Sequence, residues 1–313
     1  MKFKAVHNKR VLISPLNWGM GHVSRCIGLI HRLHNQGNTV VVAADETQIT
    51  IFKTYFPDVE TVIHQGYPFS FSGSKSFGLD LIRSSKGLKS RLNRELEQTE
   101  HLVDKYNIDV VVSDHRYGFR SQKVKSIFVT HQLNLPIKWY EVCVQLIHKA
   151  QIKKFDQVWV MDYPDHRLAG HLSKTNANYP VDYLGAVSRF EIYGSSEIKK
   201  KGGLVIVSGP YVYAQQFIDG LDVKVSGNSL MKVVAPKEVN VPLRFERIEG
   251  DWRNLDKEIL KAKSVISRSG YSTIMDLQFL KCNATLSATP GQREQEYLEM
   301  LHESSNSSAS KPS

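Results

Sequence analysis

This chain predicts two successive α/β domains, each built on a doubly wound parallel sheet. Three observations lead there. A strand, a Gly-containing turn, a helix and a second strand follow one another from residue 9, and a similar order starts afresh at residue 204. The strands are continuous apolar runs, such as Val40, Val41, Val42, Ala43 and Ala44, which suits burial on both faces of a parallel sheet. The chain has 313 residues, long enough for about two domains.

In chain order, an apolar run over 9–15 ends at Pro15 and leads into Asn17, Trp18, Gly19, Met20, Gly21 and His22. Val23, Ile27, Ile30 and Leu33 then recur at helical spacing, and Gly37 and Asn38 stop that helix. A strand at 39–44 closes a β-turn-α-β unit, which fixes a right-handed crossover. Further elements follow as a helix over 46–56, a strand over 59–63, a helix over 88–106 and a strand over 108–112. Strands over 126–129 and 157–160 complete a first domain, 1–183. A linker over 184–203 carries Gly185, Gly194, Ser195, Ser196 and a run of lysines ending in Gly202 and Gly203. The second domain, 204–303, has a strand over 204–207, a helix over 212–219, a strand over 231–234 and a helix over 254–262. Residues 304–313 are almost all Ser, Asn, Lys and Pro, a composition that predicts disorder.

Residues 264–296 are the most informative stretch. A strand ends at Ser267, Arg268, Ser269 and Gly270, and a helix with Ile274, Leu277 and Leu280 on one face begins near Ser272. A Gly turn feeding a helix N-terminus presents free N–H groups and a positive dipole end, which suits a phosphate. Asp276 stands one turn into that helix, where a carboxylate accepts from ribose hydroxyls. Glu294 and Gln295 suit a sugar in the same way.

Composition narrows the partners. The formal net charge is +10 and the pI about 9.3, which favours anionic ligands or surfaces. No nucleic-acid motif accompanies the charge, so no nucleic-acid partner is expected. Cys26, Cys143 and Cys282 stand apart without a CxxC pair and read as reduced packing residues. No apolar run has the ~18 residues of a membrane helix, and Val11, Leu12 and Ile13 are too short a run for a signal sequence. The expected location is cytoplasmic, with peripheral contact at the inner face of the cell membrane. Residues 67–94 carry that second expectation. There Phe69, Phe71, Phe77, Leu79, Leu81 and Ile82 mix with Lys75, Arg83, Lys86, Lys89, Arg91 and Arg94. Such a mixture suits an anionic bilayer or a lipid-linked acceptor, and equally a solvated helix face.

Four places in this order resemble the GT-B glycosyltransferases of family 28, which include the bacterial peptidoglycan N-acetylglucosaminyltransferase. They are Gly19-Met20-Gly21-His22, Gly185-Ala186-Val187-Ser188-Arg189, Ser208-Gly209, and the stretch from Ser267 through Asp276 with 290–295. The resemblance implies two Rossmann-like domains facing a cleft; against the family's longer second domain, the one here is expected to be shortened or divergent at its C-terminal end. It also implies a cell-envelope setting and a nucleotide-sugar donor, UDP-linked, held by Gly19, Gly21, Ser208, Gly209, Arg268, Ser269, Gly270, Asp276, Gln292, Glu294 and Gln295. Pro210 and Tyr211 depart from the family's loop after Ser208-Gly209, and Asp276 stands where the family usually has Glu. The acceptor, lipid-linked or another glycan, is not named by the resemblance.

The chemistry expected is sugar transfer to an acceptor hydroxyl with inversion. It needs a base and a place for the leaving diphosphate. His22, at a helix N-terminus whose positive end keeps imidazole neutral, is the candidate base. Asp114, after a strand, either orients His22 or serves as a base itself, or caps its loop. His115 and His131 lie near strand ends too. No Asp-x-Asp pair suggests a metal, so helix N-termini and Arg268 are expected to carry the leaving-group charge and no cofactor is expected. Two readings stay open beside transfer: a sugar-nucleotide epimerase or hydrolase of the same fold, and a non-catalytic sugar-nucleotide-binding protein.

Overall fold

A computed structural model describes residues 2–17, 19–66, 87–137, 139–175, 180–194, 198–221 and 231–309. The chain packs as two compact units. Unit 1 comprises Met1–Trp18 and His22–Arg189; unit 2 comprises Gly19–Gly21 and Phe190–Ser313.

Unit 1 holds seven parallel strands: β1 (Arg10–Pro15), β2 (Thr39–Ala44), β3 (Glu60–Ile63), β4 (Val110–Asp114), β5 (Lys125–Thr130), β6 (Gln157–Val160) and β7 (Val181–Tyr183). Their order across the sheet is β3-β2-β1-β4-β5-β6-β7. Helices α1 (Met20–His34), from His22 on, α2 (Glu46–Tyr55), α3 (Leu88–Lys105) and α4 (Val142–Ile152) belong to this unit. The central strands are sealed on both faces; Val11, Leu12, Ile13, Val111 and Val112 are each at most 1% exposed. Leu102, Val103, Ile108 and Phe119 form one core cluster with Leu12, Val41 and Val111. α2 is capped at both faces of its first turn, since Asp45 accepts from Gln48 N and Gln48 returns the bond.

The chain reverses direction across this sheet between β1 and β4. β1 feeds β2 on one side, while β4 feeds β5 on the other, so the C-terminal ends of β1 and β4 flank a crevice. Pro15 pairs in register with Asp114 there. α1 also holds the segment after β7: Arg32 donates to the Leu184 and Ala186 carbonyls, and Arg189 donates to Ser24 Oγ at 2.8 Å. Gly28 permits the close approach, since a Cβ there would lie 2.5 Å from the Ser188 carbonyl oxygen.

Unit 2 repeats the logic with five parallel strands: β8 (Lys201–Ile206), β9 (Met231–Val234), β10 (Phe245–Arg247), β11 (Ala262–Arg268) and β12 (Asn283–Ser287). The order is β10-β9-β8-β11-β12. Helices α5 (Tyr211–Asp219), α6 (Trp252–Lys261), α7 (Tyr271–Leu280) and α8 (Arg293–Ala309) complete it. Val205, Ala214, Phe217, Ile218 and Val233 form one core cluster. Leu204, Ile259, Leu260, Val265 and Leu280 belong to another. The reversal point now falls between β8 and β11.

Four local expectations change. The strand expected at 108–112 lies at Val110–Asp114, so Asp114 is its last residue and not part of a following turn. β7 and β10 were not expected, because each has only three residues and an edge position. α4 was not expected either, because its apolar residues do not mark one inward face. Disorder is expected over 304–313, but α8 carries helical backbone through Ala309, since residues that follow a formed turn add one hydrogen bond each; residues 310–313 lie outside the described residues. Among the described residues, no helix is long and apolar enough to cross a membrane.

Candidate active site

The crevice of unit 1 gathers a dense set of side chains. His22 comes from the first turn of α1, and Arg25 lies one turn on along the same helix face. Asp114 comes from the end of β4, His115 follows it, and Thr130 and His131 come from the end of β5. Asp114 is fully buried, Arg25 is 3% exposed and His22 keeps 18% of its side chain open.

Asp114 is the hub. Its Oδ2 accepts from Arg25 Nε at 2.9 Å and from the Cys26 thiol at 3.6 Å, and its Oδ1 accepts from Arg25 Nη2. This bidentate fork is the strong form of the carboxylate–guanidinium pair. His22 Nδ1 stands 2.8 Å from Asp114 Oδ2. Burial opposes the charge on Asp114, but Arg25 and His22 outweigh it and hold the carboxyl well below the usual carboxylate range. An ionised carboxylate only accepts, so the Asp114 contact calls for a proton on His22 Nδ1, while Arg25 Nη2, a donor 2.6 Å from the same nitrogen, calls for a lone pair there. Burial, then Arg25, lower the pKa of His22, against the raising effect of Asp114. The ring is therefore neutral near pH 7, as a general base must be.

Two more histidines close the cluster. Arg25 Nη1 lies 3.2 Å from His131 Nδ1, and His115 Nε2 is hydrogen-bonded to Thr130 Oγ1 at 2.7 Å. The His22 and His115 rings meet edge to face, 5.6 Å between centroids. His115 sits at φ 59°, a left-handed conformation uncommon for residues with a Cβ though more open to His than to most; Asn8, Asn107, His166 and Lys281 share it. Burial and Arg25 push its pKa well below the ordinary value. Among the described residues, no group of three or more His, Cys, Asp or Glu is arranged to hold a metal ion. The guanidinium of Arg25 inside the cluster disfavours a second cation there.

The crevice of unit 2 is built differently. β8 leads through Val207, Ser208 and Gly209 into α5, and β11 leads through Ser269 and Gly270 into α7. Two helix N-termini thus start from adjacent strands, with Ser267 paired to Ile206. Neither has a side-chain cap: Pro210 precedes α5 and Gly270 precedes α7. Such ends present first-turn amides and the positive pole of the helix dipole. Gly209, at φ 96° and exposed, makes the turn that a Cβ would strain.

The side chains expected to bind a donor here are mostly engaged within the unit. Ser269 is fully buried; its N–H donates to the Ser287 carbonyl at 3.1 Å and its hydroxyl to the Gln295 carbonyl at 2.9 Å. Both donors expected for a diphosphate are therefore taken. Arg268 is 8% exposed, donates to the Ala288 carbonyl at 2.6 Å and the Tyr213 carbonyl at 3.4 Å, and lies 4.4 Å from the centroid of the Phe217 ring. It ties the loop after β12 to α5 instead of facing an anion. Gln295 Oε1 accepts from Thr289 N at 2.8 Å, so it braces that loop. Gln292 N donates to the Thr289 carbonyl at the start of α8, and Glu294 lies in its first turn. Asp276 is 8% exposed on α7. Gly19, at φ 127°, and Gly21, in the first turn of α1, are exposed.

Sequence reasoning missed Arg25, Cys26 and Thr130. The signal for Arg25 was present, since a charged residue three positions after His22 on an otherwise apolar helix face has to be paired when buried. Of the basic and aromatic stretch at 67–94, residues 67–86 lie outside the described residues; Lys89, Arg91 and Arg94 lie on α3.

No protein-family model and no curated protein sequence matches this chain. Solved structures do. The glycotransferase of kitacinnamycin superposes with a TM-score of 0.59 at 11% identity, over 93% of this chain and 84% of that one. Glycosyltransferase SsfS6 of Streptomyces sp. SF2575, complexed with thymidine diphosphate, gives 0.59 at 13%, over 95% and 86%. A UDP co-structure of S. aureus MnaA gives 0.54 at 12%, over 95% and 89%. What they share with this chain is the two-domain α/β architecture of the GT-B fold.

Proposed function

We propose that this chain transfers a sugar from a nucleotide-sugar donor to an acceptor hydroxyl, with inversion and without a metal. The observation that carries the reading is the His22–Asp114–Arg25 arrangement: a neutral imidazole 2.8 Å from an ionised, buried carboxylate that Arg25 also grips. His22 Nε2 takes the proton from the acceptor hydroxyl as its oxygen attacks the anomeric carbon. Asp114 stabilises the imidazolium that forms, and Arg25 keeps Asp114 ionised. In unit 2 the N-termini of α5 and α7 take up the negative charge that develops on the leaving nucleoside diphosphate. Asp276 and Glu294 are the carboxylates proposed for the ribose and the donor sugar.

The nucleotide-bound structures of SsfS6 and MnaA support the choice of a nucleoside diphosphate. Family 28 is the proposed kinship, on the motifs that carry the resemblance, and a UDP-sugar is the proposed donor. The test incubates the purified chain with UDP- and TDP-sugars, with and without an acceptor panel, and follows nucleoside diphosphate release. Release that needs an acceptor and falls roughly 10²–10⁴-fold in His22→Ala supports transfer. Donor consumption without any acceptor points instead to an epimerase or hydrolase. Donor binding with no turnover in any combination points to a binding protein.

A further inference from the structure

α4 is an inside-out helix. The side chains it turns toward unit 1 are held by polar contacts. Gln145 accepts from Leu135 N at 2.7 Å and donates to the Leu133 carbonyl at 3.0 Å. His148, 2% exposed, bonds through Nδ1 to the Tyr117 hydroxyl at 2.6 Å and through Nε2 to the Gln132 carbonyl at 2.9 Å. The outward face is apolar. Val142 is 50% exposed, Leu146 61% and Ile147 54%, with Cys143 and Ala150 also exposed and Tyr140 at 58% just ahead of the helix. Positions 142, 143, 146, 147 and 150 fall on one side of a 3.6-residue period, so they form one stripe.

The charge on and after the stripe has one sign, with Glu141 as the acidic residue just ahead of it. Residues 142–154 contain no Asp or Glu, and Lys149, Lys153 and Lys154 stand at its C-terminal end. Lys153 and Lys154 are exposed. Burial, and then the like charge of Arg120, lower the pKa of Lys154. Protein–protein interface cores are depleted of lysine. At a lipid surface the same residues extend their ammonium groups past an inserted apolar face to anionic headgroups.

We propose that the outward face of α4 is a docking surface for an anionic lipid bilayer, with Val142, Cys143, Leu146 and Ile147 inserted at headgroup depth. The lysines at 149, 153 and 154 contact the lipid phosphates, and Tyr140 lies at the interface. The reaction proposed above is not required for this inference; the contact places unit 1 on a membrane surface whatever it catalyses.

The test is sedimentation of the full chain with phosphatidylcholine vesicles and with vesicles rich in phosphatidylglycerol. The chain is expected to bind the anionic vesicles and to be released by added salt. Leu146→Glu with Ile147→Glu should lower partitioning roughly tenfold or more. Lys153→Ala with Lys154→Ala should lower it roughly tenfold on anionic vesicles and leave neutral vesicles unchanged. All four side chains are exposed or at the surface, so an unchanged thermal midpoint is expected and checks the fold. A polarity-sensitive fluorophore on Cys143 should shift to the blue on anionic vesicles. Binding that the two glutamates leave unaltered overturns the proposal. So does a concentration-dependent dimer that the same two glutamates dissolve, because the occupant would then be a second copy.

Discussion

The two crevices of this molecule lie at equivalent points of equivalent sheets and are furnished in opposite ways. In unit 1, between β1 and β4, the groups are side chains: His22, Arg25, Asp114, His115 and His131 within one cluster of hydrogen bonds and ring contacts. In unit 2, between β8 and β11, the Arg268 and Ser269 side chains are turned inward, and the start of each flanking helix lacks a side-chain cap. The difference follows from the chemistry each can perform. Moving a proton needs a titratable atom whose pKa the surroundings set. Holding a diphosphate needs only fixed N–H dipoles, which the backbone supplies.

The largest expected effect comes from removing the hub of unit 1. Asp114→Asn should lower turnover roughly 10²–10⁴-fold, since His22 loses both its orientation and its counter-charge. It also leaves Arg25 buried without a carboxylate, at a cost of about 3–5 kcal/mol in stability. Donor affinity, measured by titration calorimetry on the folded variant, should stay at the wild-type value. A parallel fall in donor affinity breaks the division of labour between the two crevices.

Acid should separate the units next. His22 and His115 have lowered pKa values, His64 is brought to about 3 and His148 to about 4, mainly by burial, and all four lie in unit 1. Unit 2 carries a single histidine, His302. A histidine whose folded pKa is depressed leaves the fold at full stability above its unfolded value near 6.5. That stability is lost as pH falls, because the unfolded chain takes up the proton first. At roughly 1.4 kcal/mol per pKa unit, His148 alone accounts for up to about 3 kcal/mol between pH 6.5 and 4. The acidic group that responds in unit 2, Glu258, is lowered to about 2 by Lys261 and Lys232, and its window opens only below its ordinary value of 4.5. Hydrogen exchange read peptide by peptide should therefore show unit 1 losing protection between pH 6.5 and 4.5 while unit 2 keeps it. Loss in step across both units would show that the histidines do not set the acid response.

The same contrast explains what was legible in the sequence. Parallel strands buried on both faces announce themselves as apolar runs, so β1, β2, β6 and β9 stand where the residues put them. The meeting of His22 with Asp114 was legible because both stand at or near strand ends beside a chain reversal, where a doubly wound sheet brings its loops together. Arg25 was not, because periodicity sees a charged residue on an apolar helix as an interruption, and only the fold brings Asp114 to it from 89 positions away. α4 escaped because its outward face is its apolar one. In unit 2 the motif positions were legible and their side-chain roles were not. A Ser-Gly turn reads as an anion site, but the sequence does not reveal that Ser269 already donates to Gln295 and Ser287.

The smallest expected effect is the sharpest test of that last point. Ser269→Ala removes the hydroxyl from the Gln295 carbonyl and leaves the main chain in place. A neutral hydrogen bond of this kind contributes about 1 kcal/mol, a shift of roughly 2–4 °C in the melting of a unit this size or somewhat larger. The donor KM is expected to remain at the wild-type value, because the hydroxyl is already donated to the Gln295 carbonyl. Gly209→Ala should do the reverse. Its Cβ meets open space, but φ 96° is unfavourable for a residue with a side chain, so the turn that starts α5 shifts. Donor KM should then rise several-fold, with a stability loss of about 1 kcal/mol. If Ser269→Ala raises KM and Gly209→Ala does not, unit 2 binds its ligand through the serine side chain, and its crevice resembles that of unit 1 after all.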